Sequence, residues 1–286
     1  MSRKRYIGGF FSILLLIALS GCTAKKKSDL QEMSVQGKVK QITEWQYLAV
    51  EKFGKVVKGD LYRQEGWDLI MDFDEQGYFS KITHIDISGN EVGHTDYLYN
   101  EQKQLVEILT YDAEGGFSDK VMRTYDEKGR IYEVAMINSS GGISGSVLID
   151  YDENAHTVTE DTYNSQGKLL RKEVRQLNKN KFPVETKIYD GEKNVINHRK
   201  ETFEKSGLRN ALTVFSPEES ILMNISFKYD KKGNLIQQEG TDENGETFLP
   251  VRYEYEFDEH GNWTQRVEFI GEKPTFVLER QFEYYE

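Results

Sequence analysis

A short phrase returns along the chain at a fixed spacing: an aromatic residue, an Asx residue, two further residues and a glycine. Tyr125-Asp126-Glu127-Lys128-Gly129 is a clear copy. Aligned on the first residue, the copies stand 26 residues apart, with a last step of 28, at Phe73, Tyr99, Tyr125, Tyr151, Leu177, Phe203, Tyr229 and Phe257. Weaker copies lie between them, at Ile87, Tyr111, Ile137, Tyr163, Tyr189, Phe215, Thr241 and Phe269. A fixed period of this size is typical of repeat proteins.

The phrase has the chemistry of a strand that ends in a tight turn. Its second position is Asp or Asn in seven of the eight strong copies, and these side chains hydrogen-bond backbone N–H groups two residues further on. Its fifth position is glycine in five copies and Lys103, Ala155 or Lys181 in the others, which indicates a site of positive φ. About eight residues lie between turns, an ordinary strand length. Each period therefore predicts two strands.

After residue 36, no stretch of ten or more residues has the period of a helix, so the sequence predicts an all-β chain. Eight periods imply about 16 antiparallel strands that follow one another as a meander, and a sheet of that width twists and curls. We therefore expect a long curved antiparallel β-meander, an array of 26-residue two-strand repeats. It should roll far enough for its apolar face to cover itself.

The strands differ in how clearly one face is apolar. Residues 251–257 alternate apolar and charged side chains, which predicts one buried face. Segments 157–162 and 171–176 carry charges on both faces, which predicts strands with little cover on either side. Because the lipid-facing positions of an outer-membrane barrel are apolar along every strand, these segments also argue against a membrane-embedded barrel.

The first 22 residues have the order of a lipoprotein signal peptide. Arg3-Lys4-Arg5 precedes an apolar run over 7–19, which is too short to span a bilayer comfortably. The run ends in Leu19-Ser20-Gly21-Cys22, which resembles the lipobox of bacterial lipoproteins. The resemblance implies cleavage before Cys22, a diacylglycerol thioether on its sulfur, and a protein held on a membrane without spanning it. An ordinary secretory peptide or an N-terminal membrane anchor is the alternative.

The sequence thus divides into a signal peptide (1–21), a polar tether (22–36) and a single β-repeat domain (37–286). Residues 37–72 form an irregular first repeat, expected to cap the array, in which Phe53-Gly54-Lys55 turns a strand that begins near Lys38. Loss of residues 1–21 changes the formal net charge from −11 to −14, and so acidic a chain does not favour a nucleic-acid partner. Lys25-Lys26-Lys27 is expected to be a solvated tether near anionic headgroups.

No motif for catalysis or metal binding stands out. The turn carboxylates recur because the backbone requires them, which is weak evidence for acid–base catalysis, and the sequence contains no calcium-binding loop or nucleophile motif. With Cys22 acylated, no cysteine remains for a disulfide. The histidines are far apart in sequence and are expected at solvated turns: His84, His94, His156, His198 and His260. We therefore expect a protein that is not an enzyme and needs no cofactor or metal.

The turn phrases resemble YD (RHS-like) repeats over roughly residues 70–275. The copies that carry the resemblance are Tyr125-Asp126…Gly129, Tyr229-Asp230…Gly233-Asn234 and Phe257-Asp258…Gly261-Asn262-Trp263. The openings Gly37-Lys38-Val39-Lys40 and Lys52-Phe53-Gly54-Lys55 are similar to those of YD-repeat lipoproteins of the Bacteroides type. The resemblance implies a β-shell or an extended β-array. Leu177-Asn178-Lys179-Asn180-Lys181 departs from the family's pattern.

Binding is the class of function that remains. Trp45, Trp67 and Trp263, with the 17 tyrosines, offer large amphipathic rings for a sugar or a protein partner, although packing of the sheet is the stronger interpretation for strand-end tyrosines. Trp263 directly follows the Gly261-Asn262 turn, which favours its exposure. The first hypothesis is a lipid-anchored binding or scaffold module of the bacterial envelope with an extended ligand. The second is a glycan-binding or envelope-polymer-binding protein, and the third is a hydrolase.

Two features near the acylated cysteine bear on which membrane receives the protein. Thr23 replaces the Asp that retains enteric lipoproteins in the inner membrane, and Lys25-Lys26-Lys27 does not resemble the acidic surface-export tract of Bacteroides lipoproteins. We expect attachment to the outer membrane, facing the periplasm. Display on the cell surface is the alternative.

We predict that Cys22 carries the lipid. Labelled palmitate should enter the wild-type protein and should be absent from Cys22→Ala, because only the thiol can form the thioether. Equal labelling of the two proteins would contradict the lipobox interpretation.

Overall fold

A computed structural model describes residues 27–62 and 67–286. The predicted signal peptide and Cys22 lie outside the described residues. The described chain forms one short helix, α1 (Asp29–Glu32), and 19 strands that pair antiparallel. The predicted all-β class is therefore confirmed.

The strands follow one another with short turns. The earlier strands are β1 (Val39–Lys52), β2 (Lys55–Leu61), β3 (Trp67–Phe73), β4 (Phe79–Asp86), β5 (Glu91–Tyr99), β6 (Leu105–Asp112), β7 (Phe117–Tyr125), β8 (Ile131–Asn138) and β9 (Ile143–Asp152). The later strands are β10 (Thr157–Asn164), β11 (Leu169–Leu177), β12 (Pro183–Asp190), β13 (Val195–Phe203), β14 (Arg209–Phe215), β15 (Ile221–Tyr229), β16 (Leu235–Asp242), β17 (Val251–Phe257), β18 (Trp263–Ile270) and β19 (Lys273–Tyr284).

Two compact units make up the described chain. The central unit contains Thr124–Ala135 and Ile143–Arg252. The terminal unit contains the described residues of 27–123 together with Met136–Gly142 and Tyr253–Glu286, and so combines early and late strands.

The repeated phrase forms the turn that its chemistry predicts. The Asp126 Oδ1 accepts hydrogen bonds from the backbone N–H groups of Lys128 and Arg130, both at 2.9 Å. The Gly129 N–H donates to the Asp126 carbonyl at 2.9 Å. The weaker copies repeat this geometry, but the first of them begins at Ile85 instead of Ile87, because Asp86 holds the Asx position and accepts from Gly89 at 3.0 Å.

The fifth position of the strong copies has positive φ, as predicted. Gly129 has φ +76° and Gly233 has φ +89°, and Lys103 and Lys181 adopt +58° and +65° where glycine is missing. In the copy with Ala155, the left-handed residue is His156 instead, at +53°. The backbone conformation is therefore kept even where the residue that favours it is replaced.

Strand β1 closes the sheet. Along one edge it pairs with β19 over residues 39–48. Along the other edge it pairs with β3 over 41–44 and with β2 over 47–52. Within the terminal unit, β1 therefore joins the last strand to the earliest ones. The predicted long curved meander is corrected in one respect: its first and last strands are paired, because the irregular first repeat supplies a strand that pairs on both edges instead of a cap.

Residues 28–36, expected to belong to a tether, are docked on the terminal unit. Leu30 and Val35 are buried in its main apolar cluster with Val39, Ile42 and Phe73. The Leu30 N–H donates to the Gly77 carbonyl at 3.0 Å. A side chain at Gly77 would meet the Leu30 side chain at 3.1 Å, so this glycine provides both the left-handed turn and the space for α1. Ordered structure thus begins before Gly37, because two apolar residues in a polar segment find a buried site.

Polar contacts of α1 add to this docking. The Asp29 Oδ2 accepts from the Phe79 N–H at 2.8 Å and from the Tyr99 hydroxyl at 3.0 Å. The other strand-end tyrosines use their hydroxyls differently: Tyr151 and Tyr229 donate to backbone carbonyls 20 residues upstream. Strand-end tyrosines therefore tie one turn to another, which supports the packing interpretation for them.

We predict that Gly233→Val destabilises the central unit more than Lys231→Val in the same turn. Valine at φ +89° forces a β-branched side chain into the left-handed region, at a cost of about 1–2 kcal/mol. Crowding does not add to this cost, because a Cβ at Gly233 would meet its nearest neighbour at an ordinary 3.7 Å. Urea denaturation midpoints measure the difference, and equal midpoints would contradict the turn assignment.

Candidate functional site

An open hollow of about 580 Å³ lies on the terminal unit. Strands β1 and β19 form one side, and the turn between β17 and β18 forms the other. The residues from the strands are Trp45, Tyr47, Glu279, Arg280, Gln281, Phe282 and Tyr284, and those from the turn and its exit are Asp258, Glu259, His260 and Thr264. Aromatic rings and polar groups therefore alternate around the hollow.

Strand alternation brings Trp45 and Tyr47 into this site. They lie two residues apart on β1, and successive side chains of a strand point to opposite faces, so both share one face while Glu44 lies on the other. The ladder places Trp45 opposite Glu279 and Tyr47 opposite Val277. Both aromatic side chains are half-buried, which leaves part of each ring open to the hollow.

A lysine from β2 neutralises the acid beside these rings. The Lys58 Nζ lies 2.7 Å from the Glu279 Oε2 and 5.1 Å from the centre of the Tyr47 ring. The hydrogen bond that Lys58 donates to the Glu279 carboxylate raises the pKa of Lys58. Burial, and then the Glu279 charge, raises the pKa of the Tyr47 hydroxyl. Lysine is therefore charged and tyrosine neutral near pH 7, and the Glu279 carboxylate has an internal partner.

The turn on the other side is held by a network of hydrogen bonds. The Asp258 Oδ1 accepts from the Asn262 N–H at 2.8 Å, and its Oδ2 accepts from the Tyr284 hydroxyl at 3.0 Å. The buried Asn262 amide donates to the Gln36 carbonyl at 2.9 Å and accepts from the Gln36 N–H at 2.7 Å. Burial raises the pKa of the Tyr284 hydroxyl. The docked N-terminal segment and the turn of the hollow are thus parts of one network.

His260 and Glu259 are the exposed groups of this turn. The His260 ring packs on Tyr284 with ring centres 4.4 Å apart, and the Glu259 side chain is 91% exposed. His260 Nε2 and Glu259 Oε1 stand 3.9 Å apart, beyond hydrogen-bond distance. A histidine among carboxylates is the combination that would favour a hydrolase. However, Asp258 and Glu279 are engaged with structural partners, Asp258 with Tyr284 and Glu279 with Lys58.

The structure separates two of the tryptophans proposed from sequence. The Trp263 ring is half-buried and lies 3.8 Å from the Arg280 guanidinium, which pairs with Glu44 at 2.9 Å. Trp263 does not line the hollow, although Arg280, which lies over its ring, does. The arginine covers one face of the Trp263 ring, so this side chain is not fully exposed after the turn. The side chain of Trp67 lies outside the described part of the chain.

Arg280, which also lines the hollow, is the cation that pairs with the buried Glu44. Desolvation lowers its pKa, and the Glu44 carboxylate opposes this effect. The pair explains why a strand with alternating aromatic residues keeps a glutamate on its buried side. Sequence reasoning missed both residues, because their partners stand far apart in the chain.

A second polar cluster lies within the central unit, where it corrects another expectation. Segments 157–162 and 171–176, predicted to have little cover, contain the buried residues Glu160 and Glu173. These glutamates face each other across the ladder, an arrangement that repels unless a cation neutralises it. Arg175 does so, with contacts of 2.5 Å to Glu160 and 2.6 Å to Glu173. Burial opposes the charged form, but the two carboxylates outweigh it and raise the pKa of Arg175.

The ion pairs continue along the same unit. Arg171 also contacts Glu173, and Arg209 contacts the buried Glu201 at 2.6 Å. Arg199 stands between the glutamates, 3.8 Å from Glu173 and 4.0 Å from Glu201. We call these seven residues the ion-pair ladder: Glu160, Arg171, Glu173, Arg175, Arg199, Glu201 and Arg209. Charged residues on both faces of a strand therefore do not by themselves indicate that the strand is exposed to solvent.

The histidines also differ from the expectation of solvated turns. His156 and His260 lie in turns, whereas His84, His94 and His198 lie within strands. The His198 side chain is only 1% exposed and its Nε2 is 2.8 Å from Glu185 Oε1. Its ring stacks on Phe215 with centres 4.6 Å apart. His198 was mispredicted because its burial depends on a neighbouring strand.

The described residues contain no group of three or more His, Cys, Asp or Glu side chains arranged to hold a metal ion. Within the same residues, no helix has the length and apolar character needed to cross a membrane.

No protein-family model matches the chain, and no curated protein is similar to it in sequence. Among solved structures, it is similar to a porin-like protein from Bacteroides uniformis, with 10% identity, a TM-score of 0.34 and coverage of 87% of this chain and 99% of that one. A porin-like protein from Bacteroides vulgatus gives 12% identity, a TM-score of 0.36 and coverage of 86% and 98%. The TcdB2-TccC3 structure gives 14% identity, a TM-score of 0.22 and coverage of 83% and 16%.

We predict that Glu173→Gln destabilises the central unit by about 3 kcal/mol, since it removes the buried carboxylate that Arg171 and Arg175 share. Glu153→Gln is the matched control, because Glu153 also contacts several cations of the same unit, Lys128, Arg130 and Lys181, but its side chain is 42% exposed. The control should leave the urea denaturation midpoint nearly unchanged. Equal midpoints for the two variants would show that the ladder contributes no more than a surface pair.

Proposed function

We propose that this chain is a lipid-anchored, non-catalytic binding protein of the bacterial outer membrane that faces the periplasm, and that its ligand is a glycan of the envelope. The YD-repeat resemblance and the lipobox support the family and the anchoring parts of this proposal. The hollow on the terminal unit supports the glycan, the second of the three hypotheses drawn from sequence.

The observation that carries the proposal is the half-open pair of rings at Trp45 and Tyr47. Sugar rings have apolar faces that pack on aromatic side chains, and hydroxyl groups that need polar partners at the edge. Gln281 and the exposed Glu259 provide such partners around the same hollow. An open site also suits a segment of a long chain, because the ligand can continue beyond it on both sides.

The hydrolase hypothesis is weaker for a physical reason. A general acid or base must be free to exchange a proton with the substrate. Asp258 holds its turn and Glu279 holds Lys58, so only Glu259 and His260 are available. The scaffold hypothesis, with a ligand spread over many repeats, is less favoured because the hydroxyls of strand-end tyrosines such as Tyr151 and Tyr229 already hydrogen-bond to backbone carbonyls of the protein.

We predict that Trp45→Ala weakens glycan binding by on the order of tenfold, equivalent to about 1.4 kcal/mol. The full chain would be titrated with soluble fragments of envelope polysaccharides, and binding would be measured by calorimetry. Tyr132→Ala is the matched control, because this aromatic residue of the central unit is exposed and does not line the hollow. The control should bind like the wild type, whereas equal losses in both variants would contradict the assignment of the hollow.

The same titrations separate binding from catalysis. Reducing ends would be assayed after long incubation with each fragment, and their number should not rise. Release of reducing ends by the wild type, and its loss in Glu259→Gln, would replace the binding proposal with the hydrolase.

A further inference from the structure

The hairpin of β1 and β2 ends in a fully exposed aromatic residue. Phe53 and Gly54 form its two-residue tip, and Phe53 has a relative exposure of 106%, as much as a free residue. Most exposed aromatic residues of this chain are less than half exposed, among them Tyr132 and Phe257. The tip therefore presents a whole phenyl ring to its surroundings.

The turn itself does not explain this phenylalanine. Phe53 and Gly54 have φ +53° and +71°, the conformation of a tight hairpin in which Asn-Gly or Asp-Gly is strongly preferred. A bulky aromatic residue at positive φ is a conformational outlier. A small polar residue at position 53 would suit the turn better. The turn conformation therefore does not account for the phenyl ring, which we attribute to a contact outside the fold.

The charges of the tip indicate the chemistry of its partner. Lys52 and Lys55 flank the ring and are exposed, and neither forms an ion pair within the described residues. Lys58, the next lysine of the hairpin, is already paired with Glu279. Two exposed lysines directly beside a fully exposed phenyl ring combine positive charge with an apolar group, and they complement a negatively charged surface that has an apolar layer.

We propose that the tip Lys52-Phe53-Gly54-Lys55 docks on an anionic phospholipid surface. The phenyl ring enters the boundary between headgroups and acyl chains, and the two ammonium groups contact anionic headgroups. This inference uses the proposed membrane location of the protein, but it does not use the glycan site.

The geometry of β1 defines how this contact relates to the lipid anchor. Residues 28–36 dock at the beginning of β1, and the tip follows its end, 14 residues later, which spans about 46 Å at 3.3 Å per residue. The six residues from Cys22 to Ser28 reach at most about 20 Å. A protein attached at both points therefore holds β1 along the membrane surface and not upright on it.

Fluorescence of a tryptophan at the tip tests the contact. The full chain carrying Phe53→Trp would be reconstituted into vesicles of phosphatidylcholine and phosphatidylglycerol that contain doxyl-labelled lipids, and the wild-type emission would be subtracted. Phe257→Trp is the control, because Phe257 is only 38% exposed at the end of β17 in the same unit. We expect strong quenching at position 53, little at position 257, and loss of quenching when Lys52→Glu and Lys55→Glu are added.

The outcomes are distinct. Absence of extra quenching at position 53, or equal quenching in vesicles of phosphatidylcholine alone, would overturn the proposal. A photoreactive phenylalanine analogue at position 53 should form adducts with lipid in cells, and adducts with a protein in their place would also overturn it. Combining Phe53→Trp with Trp45→Ala separates the tip from the glycan site, since the second change should not alter quenching at the tip.

Discussion

The hydrogen bonds along both edges of β1 are the interaction on which the rest of the structure depends. A sheet with free edges presents unpaired N–H and C=O groups that invite pairing with other chains. By pairing with β19 on one side and with β2 and β3 on the other, this strand satisfies both edges. The same pairing assembles the main apolar cluster, the buried Glu44–Arg280 pair and the hollow, because each of them draws residues from β1 and from strands that pair with it.

The turns could be predicted from the sequence because their causes are local. Asp126 accepts hydrogen bonds from amide groups that lie within five residues of it, and Gly129 lies in the same stretch. The short phrase and the residue that follows it therefore contain all the residues that determine the turn conformation. The closure of the sheet could not be predicted in this way. The partners of β1 on β19 stand more than 200 residues away, and nothing in residues 39–48 identifies them.

The environment of charged and aromatic residues could not be predicted from the sequence either, because it depends on partners that are distant in the chain or on neighbouring strands. Glu160 and Glu173 look like solvent-exposed residues until Arg175 is placed between them. Trp45 and Trp263 look equivalent as exposed binding rings, but one borders the hollow and the other lies under Arg280. In the candidate site, sequence reasoning therefore found one of the important aromatic residues and missed Tyr47, Glu279 and His260. Their importance arises from the pairing of β1 with β19 and from the turn beside it.

The docking of residues 28–36 at the beginning of β1 also has a mechanical consequence. A pull on the N-terminal end of the chain first acts on the contacts of α1 and of Gln36 with Asn262. Once these release, the load runs along the axis of β1 and is shared by the ladders on its two edges. Hydrogen bonds loaded along the strand axis are sheared together and resist the force jointly. They do not break one after another, as they would if the strands were pulled apart from one end. A membrane tether at the N-terminal end would thus transmit tension into β1, a strand that is hydrogen-bonded along both edges.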